Sequence, residues 1–162
     1  MMDRKNTFKE KLYECDKHVE KIEDAKEYLE VFMPLTLENY LKLDKIANSF
    51  IDQLVFRFLK LQDTMGESLL KTTLKLSYDY NKQMSFIDIL NRLEELELLE
   101  KQVWLELREL RNDIAHEYSF NQEEVVQNIN NIYKATTTLI AIYIKVKAYA
   151  QKQIENNSDI VS

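Results

Sequence analysis

A chain of 162 residues, 45% of them apolar, suits one domain, and a chain of that length buries roughly 70% of its extended surface on folding. One Gly and one Pro leave almost nothing for hairpins or phosphate-cradling loops, which excludes the Walker A loop and the GxGxxG dinucleotide fingerprint and predicts an all-α protein. The net charge of −6 argues against indiscriminate nucleic-acid binding, so any RNA contact needs a local cationic patch, such as one assembled between chains.

The single cysteine, Cys15, has no intrachain partner, so nothing points to an oxidising compartment. No cationic start followed by an apolar run and a small-residue cleavage site is present. The longest uncharged run, Ala135 to Ile144, has ten residues, against about 20 needed to cross a bilayer. The expectation is a soluble, cytoplasmic protein with no membrane contact.

In chain order, a first helix is expected from Thr7 to Phe32, because Phe8, Leu12, Cys15, Val19, Ile22, Ala25 and Leu29 recur at steps of three and four. Pro34 ends it. Thr36 is placed to cap a second helix reaching Gln62, with Leu41, Leu43, Ile46, Phe50, Leu54, Phe58 and Leu61 inward. "QDTMGES" reads as a break: Gly66 follows the apolar pattern, and Ser68 can start another helix over 68–80. Ser85 and Asp88 have the capping-box spacing ahead of a helix over "FIDILNRLEELELL". A further helix is expected from Gln102 to Tyr118. Asn121 with Glu124 then caps a last helix reaching Lys152. The expected architecture is a single-domain antiparallel bundle of about five to six helices over residues 1–155, with a frayed polar tail at 156–162.

The stretch "RELRNDIAHEYSF", residues 108–120, carries the chemistry. On a helix turning about 100° per residue, Trp104, Leu107, Ile114 and Tyr118 all fall within about 60° of Arg111. Arg111 thus sits in an apolar stripe, and its helical neighbours Arg108, Leu107, Ile114 and Ala115 offer no carboxylate. A guanidinium there needs compensation from elsewhere: a side chain, another subunit or an anionic ligand. His116 lies about 140° round from Arg111. Asn112, four residues before it, is spaced to orient the imidazole, and the helix C-terminus favours imidazolium. One straight helix does not easily aim Arg111 and His116 at the same atom, whereas two copies meeting across a twofold axis could. Spacing alone leaves the bland alternative open, with His116 a capping or surface histidine and Arg111 a structural ion-pair residue.

"RNDIAHEY" resembles the signature of the HEPN superfamily, and Tyr118 extends it to the R-x4-H-x-Y form of HepT-like toxins in HEPN/MNT toxin–antitoxin systems. Its place late in an all-helical chain, just before the final long helix, agrees with that family. "DQLVFRFLKLQDTMG" is more loosely similar to the paired-helix region of some HEPN-like bacterial proteins. The resemblance covers the organisation of most of the chain, but only the motif is specific.

The resemblance implies a homodimeric, metal-independent endoribonuclease needing no cofactor. It would act on RNA but not DNA, leaving 2′,3′-cyclic phosphate and 5′-hydroxyl ends. His116 would deprotonate the 2′-hydroxyl or protonate the leaving 5′-oxygen, Arg111 would stabilise the transition-state charge, and Asn112 would position imidazole or phosphate. In such systems a nucleotidyltransferase antitoxin AMPylates the tyrosine corresponding to Tyr118; by spacing alone Tyr118 continues the apolar stripe. The rival readings are a non-catalytic HEPN module binding a nucleotidyltransferase or its nucleotide, and a structural helical adaptor.

Other candidates carry less. His18, among Asp16, Lys17 and Glu20, reads as solvated, and two histidines far from one cysteine show no zinc spacing. "LEELELLE" reads as an exposed acidic face, and Asp113/His116 is an unaccompanied variant of the di-iron Glu-x-x-His pair. Arg57 and Asp63 line the cleft if the upstream likeness is real, and are otherwise surface charges.

Overall fold

The computed structural model describes the backbone of residues 4–116 and 120–161 and the side chains of residues 5–114 and 120–157. The chain is an all-α bundle, and no strand occurs among the described residues. Helix α1 spans Arg4–Leu29, extended by a 3₁₀ turn at Glu30–Phe32. The short α2 spans Leu37–Leu41, and α3 spans Lys45–Thr64. A π turn at Met65–Leu69 carries α3 without interruption into α4, Leu70–Leu76. Helices α5 (Phe86–Glu95), α6 (Lys101–His116) and α7 (Gln122–Val161) complete it. With α3, the π turn and α4 taken as one rod, the helices number six among the described residues.

Most helix starts follow local chemistry. Thr36 accepts from the Asn39 N–H at 3.1 Å, and Ser85 and Asp88 form a reciprocal capping box. Asn121 Oδ1 accepts from the Glu123 N–H at 3.1 Å and from the Glu124 N–H at 3.4 Å. Each bond satisfies an amide that the first helical turn leaves without a backbone partner. Helices α4 and α5 both end on a left-handed residue other than glycine, Tyr78 and Glu97, each with φ 60°. The next N–H in each case reaches back five residues, Asp79 to the Leu74 carbonyl at 2.9 Å and Leu98 to the Leu93 carbonyl at 3.0 Å.

Packing is antiparallel. Helix α3 runs down α1, with Gln53 Nε2 donating to the Lys21 carbonyl at 2.8 Å near one end and Arg57 meeting His18 at 3.1 Å further along. Helix α7 also runs against α1. Lys26 Nζ donates to Thr137 Oγ1 at 2.8 Å at one end, and Tyr143 and Lys147 converge on Asp16 at the other. Phe8, Ile22, Leu54, Phe58, Leu90 and Trp104 are among the largest fully buried side chains. Desolvation, then the neighbouring Glu14 and Asp16 charges, push the enclosed Cys15 thiol up to about 12. No helix among the described residues is long and apolar enough to cross a membrane.

Five expectations are corrected. The helix expected from Thr36 to Gln62 is broken after Leu41, because Asp44 accepts from the Ala47 N–H at 2.8 Å and caps α3 afresh. That reset turns Leu41 and Ile46, expected inward, out to solvent at 59% and 57% exposure. The break expected at Gly66 is a π turn inside a continuous rod, and the helix expected over 68–80 ends at Leu76. The last helix does not stop at Lys152 but continues to Val161, with Asn157 Nδ2 donating to the Leu76 carbonyl at 2.9 Å.

Candidate functional site

Arg111 projects from α6 toward the end of α3 and meets Asp63 in a two-bond fork. Nε donates to Oδ1 at 2.8 Å and Nη2 to Oδ2 at 2.9 Å. The two side chains are 29% and 27% exposed, so the pair stands at the lip of the core. The compensating group that the apolar stripe required is therefore a side chain of the same chain, 48 residues away. The fork raises the Arg111 pKa above its ordinary value, with the hydrogen bond to Asp63 the largest cause, so the group is a fixed cation. Two of its five N–H donors serve Asp63.

The pair opens on a cavity of about 250 Å³ lined by Gln62, Asp63, Gly66, Glu67, Phe86, Trp104, Arg108, Arg111 and Asn112. Gln62, only 3% exposed, ties α3 to α6. With its amide turned so that both atoms find partners, it donates to the Leu107 carbonyl at 3.0 Å and accepts from the Arg108 N–H at 2.9 Å. Gly66 lets Trp104 approach, since a Cβ there would stand 3.3 Å from the indole Cζ2. Arg108 lies over the Phe86 ring at 5.4 Å, a cation–π arrangement. Two arginines and two carboxylates thus surround an aromatic floor. The cavity is charge-balanced rather than basic.

Of the residues singled out in the motif, the structure brings Arg111 and Asn112 together on this cavity. His116 is the last residue of α6, five residues and so about 7.5 Å along the axis from Arg111. Its side chain lies outside the described residues, as does the whole of Tyr118. Asp63 lines the cavity, whereas Arg57 turns to His18. The sequence reading missed Gln62, Glu67, Phe86, Trp104 and Arg108 as lining residues. Trp104 and Arg108 had left a signal, both lying within about 60° of Arg111 round the helix.

His18 is not the solvated residue expected. It is half-buried, and Arg57 Nη1 lies 3.1 Å from its Nδ1. Because a guanidinium only donates, Nδ1 is the bare acceptor and the ring proton sits on Nε2. Desolvation first, then the Arg57 charge, lowers its pKa from the ordinary value, with Lys60 adding to the effect and Glu14 opposing it. Among the described residues no group of three or more His, Cys, Asp or Glu side chains is placed to hold a metal ion.

Compared with protein-family models, curated proteins and solved structures, the chain finds no match.

Proposed function

We propose that the protein is a HEPN-type endoribonuclease working as a homodimer, the toxin of a toxin–antitoxin pair, and that the α6 motif is its active site. The single observation that carries the reading is the placement of Arg111. Instead of being absorbed into the core, the guanidinium is forked by Asp63 at the edge of a cavity that Asn112 also lines. Such a fork fixes the plane of the group and leaves three of its donors outside the pairing.

In the proposed reaction one His116 accepts the 2′-hydroxyl proton as the O2′–P bond forms. The P–O5′ bond breaks, and the leaving oxygen takes a proton from the second subunit's imidazolium, giving a cyclic phosphate and a 5′-hydroxyl. Arg111 stabilises the added charge on the phosphoryl oxygens, and Asn112 positions phosphate or imidazole. Position at the end of α6 favours the protonated imidazole that the second role needs. Tyr118, two residues on, is the proposed site of AMPylation by a nucleotidyltransferase antitoxin.

The test is incubation of purified protein with RNA and with DNA in EDTA. RNA cleavage to cyclic-phosphate ends that is lost in His116→Ala and Arg111→Ala supports the assignment; cleavage persisting in His116→Ala removes it. The balance of two cations by two carboxylates favours a second reading, a non-catalytic module whose Arg111 holds a partner's nucleotide. Nucleotide binding without turnover selects that reading.

A further inference from the structure

A second cavity, of about 690 Å³, lies against α4 and the loop that follows, lined by Lys71, Lys75, Tyr78, Tyr80, Asn81 and Lys82. Among the described residues no carboxylate lines it, although the chain as a whole is acidic. Lys71 and Lys75, one helical turn apart, both stand over the Tyr80 ring with their ammonium groups 5.2 Å from its centre. Tyr78 beside them is 76% exposed and held at φ 60°.

The loop that presents these groups is braced. Asp79 accepts a fork from Arg92 at 3.1 and 2.9 Å and a bond from the Ser77 hydroxyl at 2.7 Å. Asn81 accepts from the Gln83 N–H at 3.0 Å, and the Ser85 capping box then starts α5. The loop that carries Tyr78, Tyr80 and Lys82 is thus held in shape from within and from α5.

We infer that Lys71, Lys75, Lys82 and Tyr78 form an exosite for single-stranded RNA, the lysines meeting phosphates and Tyr78 stacking a base. This deepens the ribonuclease reading and rests on it for the identity of the strand. The chemistry is that of sequence-tolerant single-strand binding, cationic contacts interleaved with an exposed aromatic face. It also supplies the local basic patch that the acidic chain lacks around Arg111. Continuity supports it. Glu67, lining the first cavity, and Lys71, lining the second, are four residues apart on one rod, about 6 Å along its axis. The loop leads from Lys82 directly to Phe86 of the first cavity.

Binding is measured by anisotropy with a labelled oligouridine of about 15 nucleotides, near the upper end of single-strand site sizes. The full chain is used as His116→Ala, so that affinity is read without cleavage. Three phosphate contacts predict a slope of log affinity against log salt of about −2, an affinity loss of about twenty-fold from 50 to 200 mM salt. The triple variant Lys71→Gln, Lys75→Gln, Lys82→Gln is expected to flatten that slope and bind at least about tenfold more weakly. Tyr78→Asn, which tolerates the left-handed backbone, is expected to bind about tenfold more weakly. The matched control on α7, Lys134→Gln, Lys145→Gln, Lys152→Gln, removes the same charge and should retain binding. Equal loss in the control, unchanged binding in the α4 triple, no binding by the parent chain, or equally tight binding of polyglutamate overturns the exosite. Lysine-dependent binding supports it even if the wild type cuts no RNA, an outcome that sinks only the nuclease reading.

Discussion

Removing either half of the Arg111–Asp63 fork leaves the other charge at the lip of the core without its partner. Both side chains are a little under one-third exposed and the geometry is bidentate at 2.8 and 2.9 Å. A pair of this kind is worth more than an exposed one, at about 0.2–1 kcal/mol, and less than the cost of about 3–5 kcal/mol for breaking a fully buried pair. A coupling of about 1–2 kcal/mol is therefore expected between Asp63→Asn and Arg111→Gln, read from urea unfolding of the two single variants, the double variant and the parent. For a chain of this size that amounts to about 3–6 °C in Tm. Arg111→Lys keeps the charge but cannot make the planar fork, so it should retain at most about half the coupling. Raising the salt to 1 M, where the screening length is about 3 Å, should reduce the coupling without abolishing it, because the contact is itself that short. Additivity of the two single variants within about 0.5 kcal/mol would refute the claim that Asp63 is what fixes the guanidinium.

Three further outcomes follow from the structure. His18 has its pKa lowered in the folded state by burial and by the Arg57 and Lys60 charges, against Glu14. Between its unfolded value near 6.5 and its folded value the unfolded chain binds the extra proton, so stability is lost as pH falls through that window; His18→Gln should flatten the acid limb of a urea-midpoint titration, and an unchanged limb counts against the cause. Glu97 occupies a left-handed position at φ 60°, so Glu97→Gly should raise stability by about 0.5–1 kcal/mol in thermal unfolding, and a loss would show that the end of α5 depends on the Glu97 side chain. Gly66→Ala would set a Cβ 3.3 Å from the indole of Trp104, which is 1% exposed. Overpacking should outweigh the helix propensity gained, for a net loss of about 1 kcal/mol with altered Trp104 fluorescence.

What could be read from the sequence was what short range decides. Thr36, Ser85 and Asn121 cap helices within three residues of themselves, and the apolar rhythm from Phe8 to Leu29 needs no partner to be seen. The demand that Arg111 be compensated was legible because no carboxylate lies three or four residues from it along its own helix. The identity of the compensator was not, since Asp63 reaches it only through the packing of α3 on α6. His18 looked solvated for the same reason: its acidic neighbours are local, while Arg57, which sets its tautomer, lies 39 residues away. The lysine platform went unread because Lys71 and Lys75 resemble any exposed helical pair until Tyr80 folds back beneath them.

The π turn is the feature that joins the two cavities, and its logic is one of phase. The Leu70 N–H bonds to the Met65 carbonyl, five residues back, so the rod carries one residue more than an α-helix would there. In an unbroken helix, counted from the buried Leu54, Leu70 and Leu74 would fall at about 160° and 200°, on the solvent side. The extra residue sets both back by about 100°, which agrees with their full burial. The same shift brings Lys71 and Lys75 to within about 20° of Asp63, so that the carboxylate holding Arg111 and the lysines around Tyr80 share one face of the rod. Deleting Ser68 should then convert the π turn to α-helix while keeping α4 in phase. The deletion variant should unfold cooperatively, with a denaturant slope close to the parent's and only a modest loss of stability. Collapse to a partly folded state, with a sharply lower slope, would mean that the extra residue does more than set the phase.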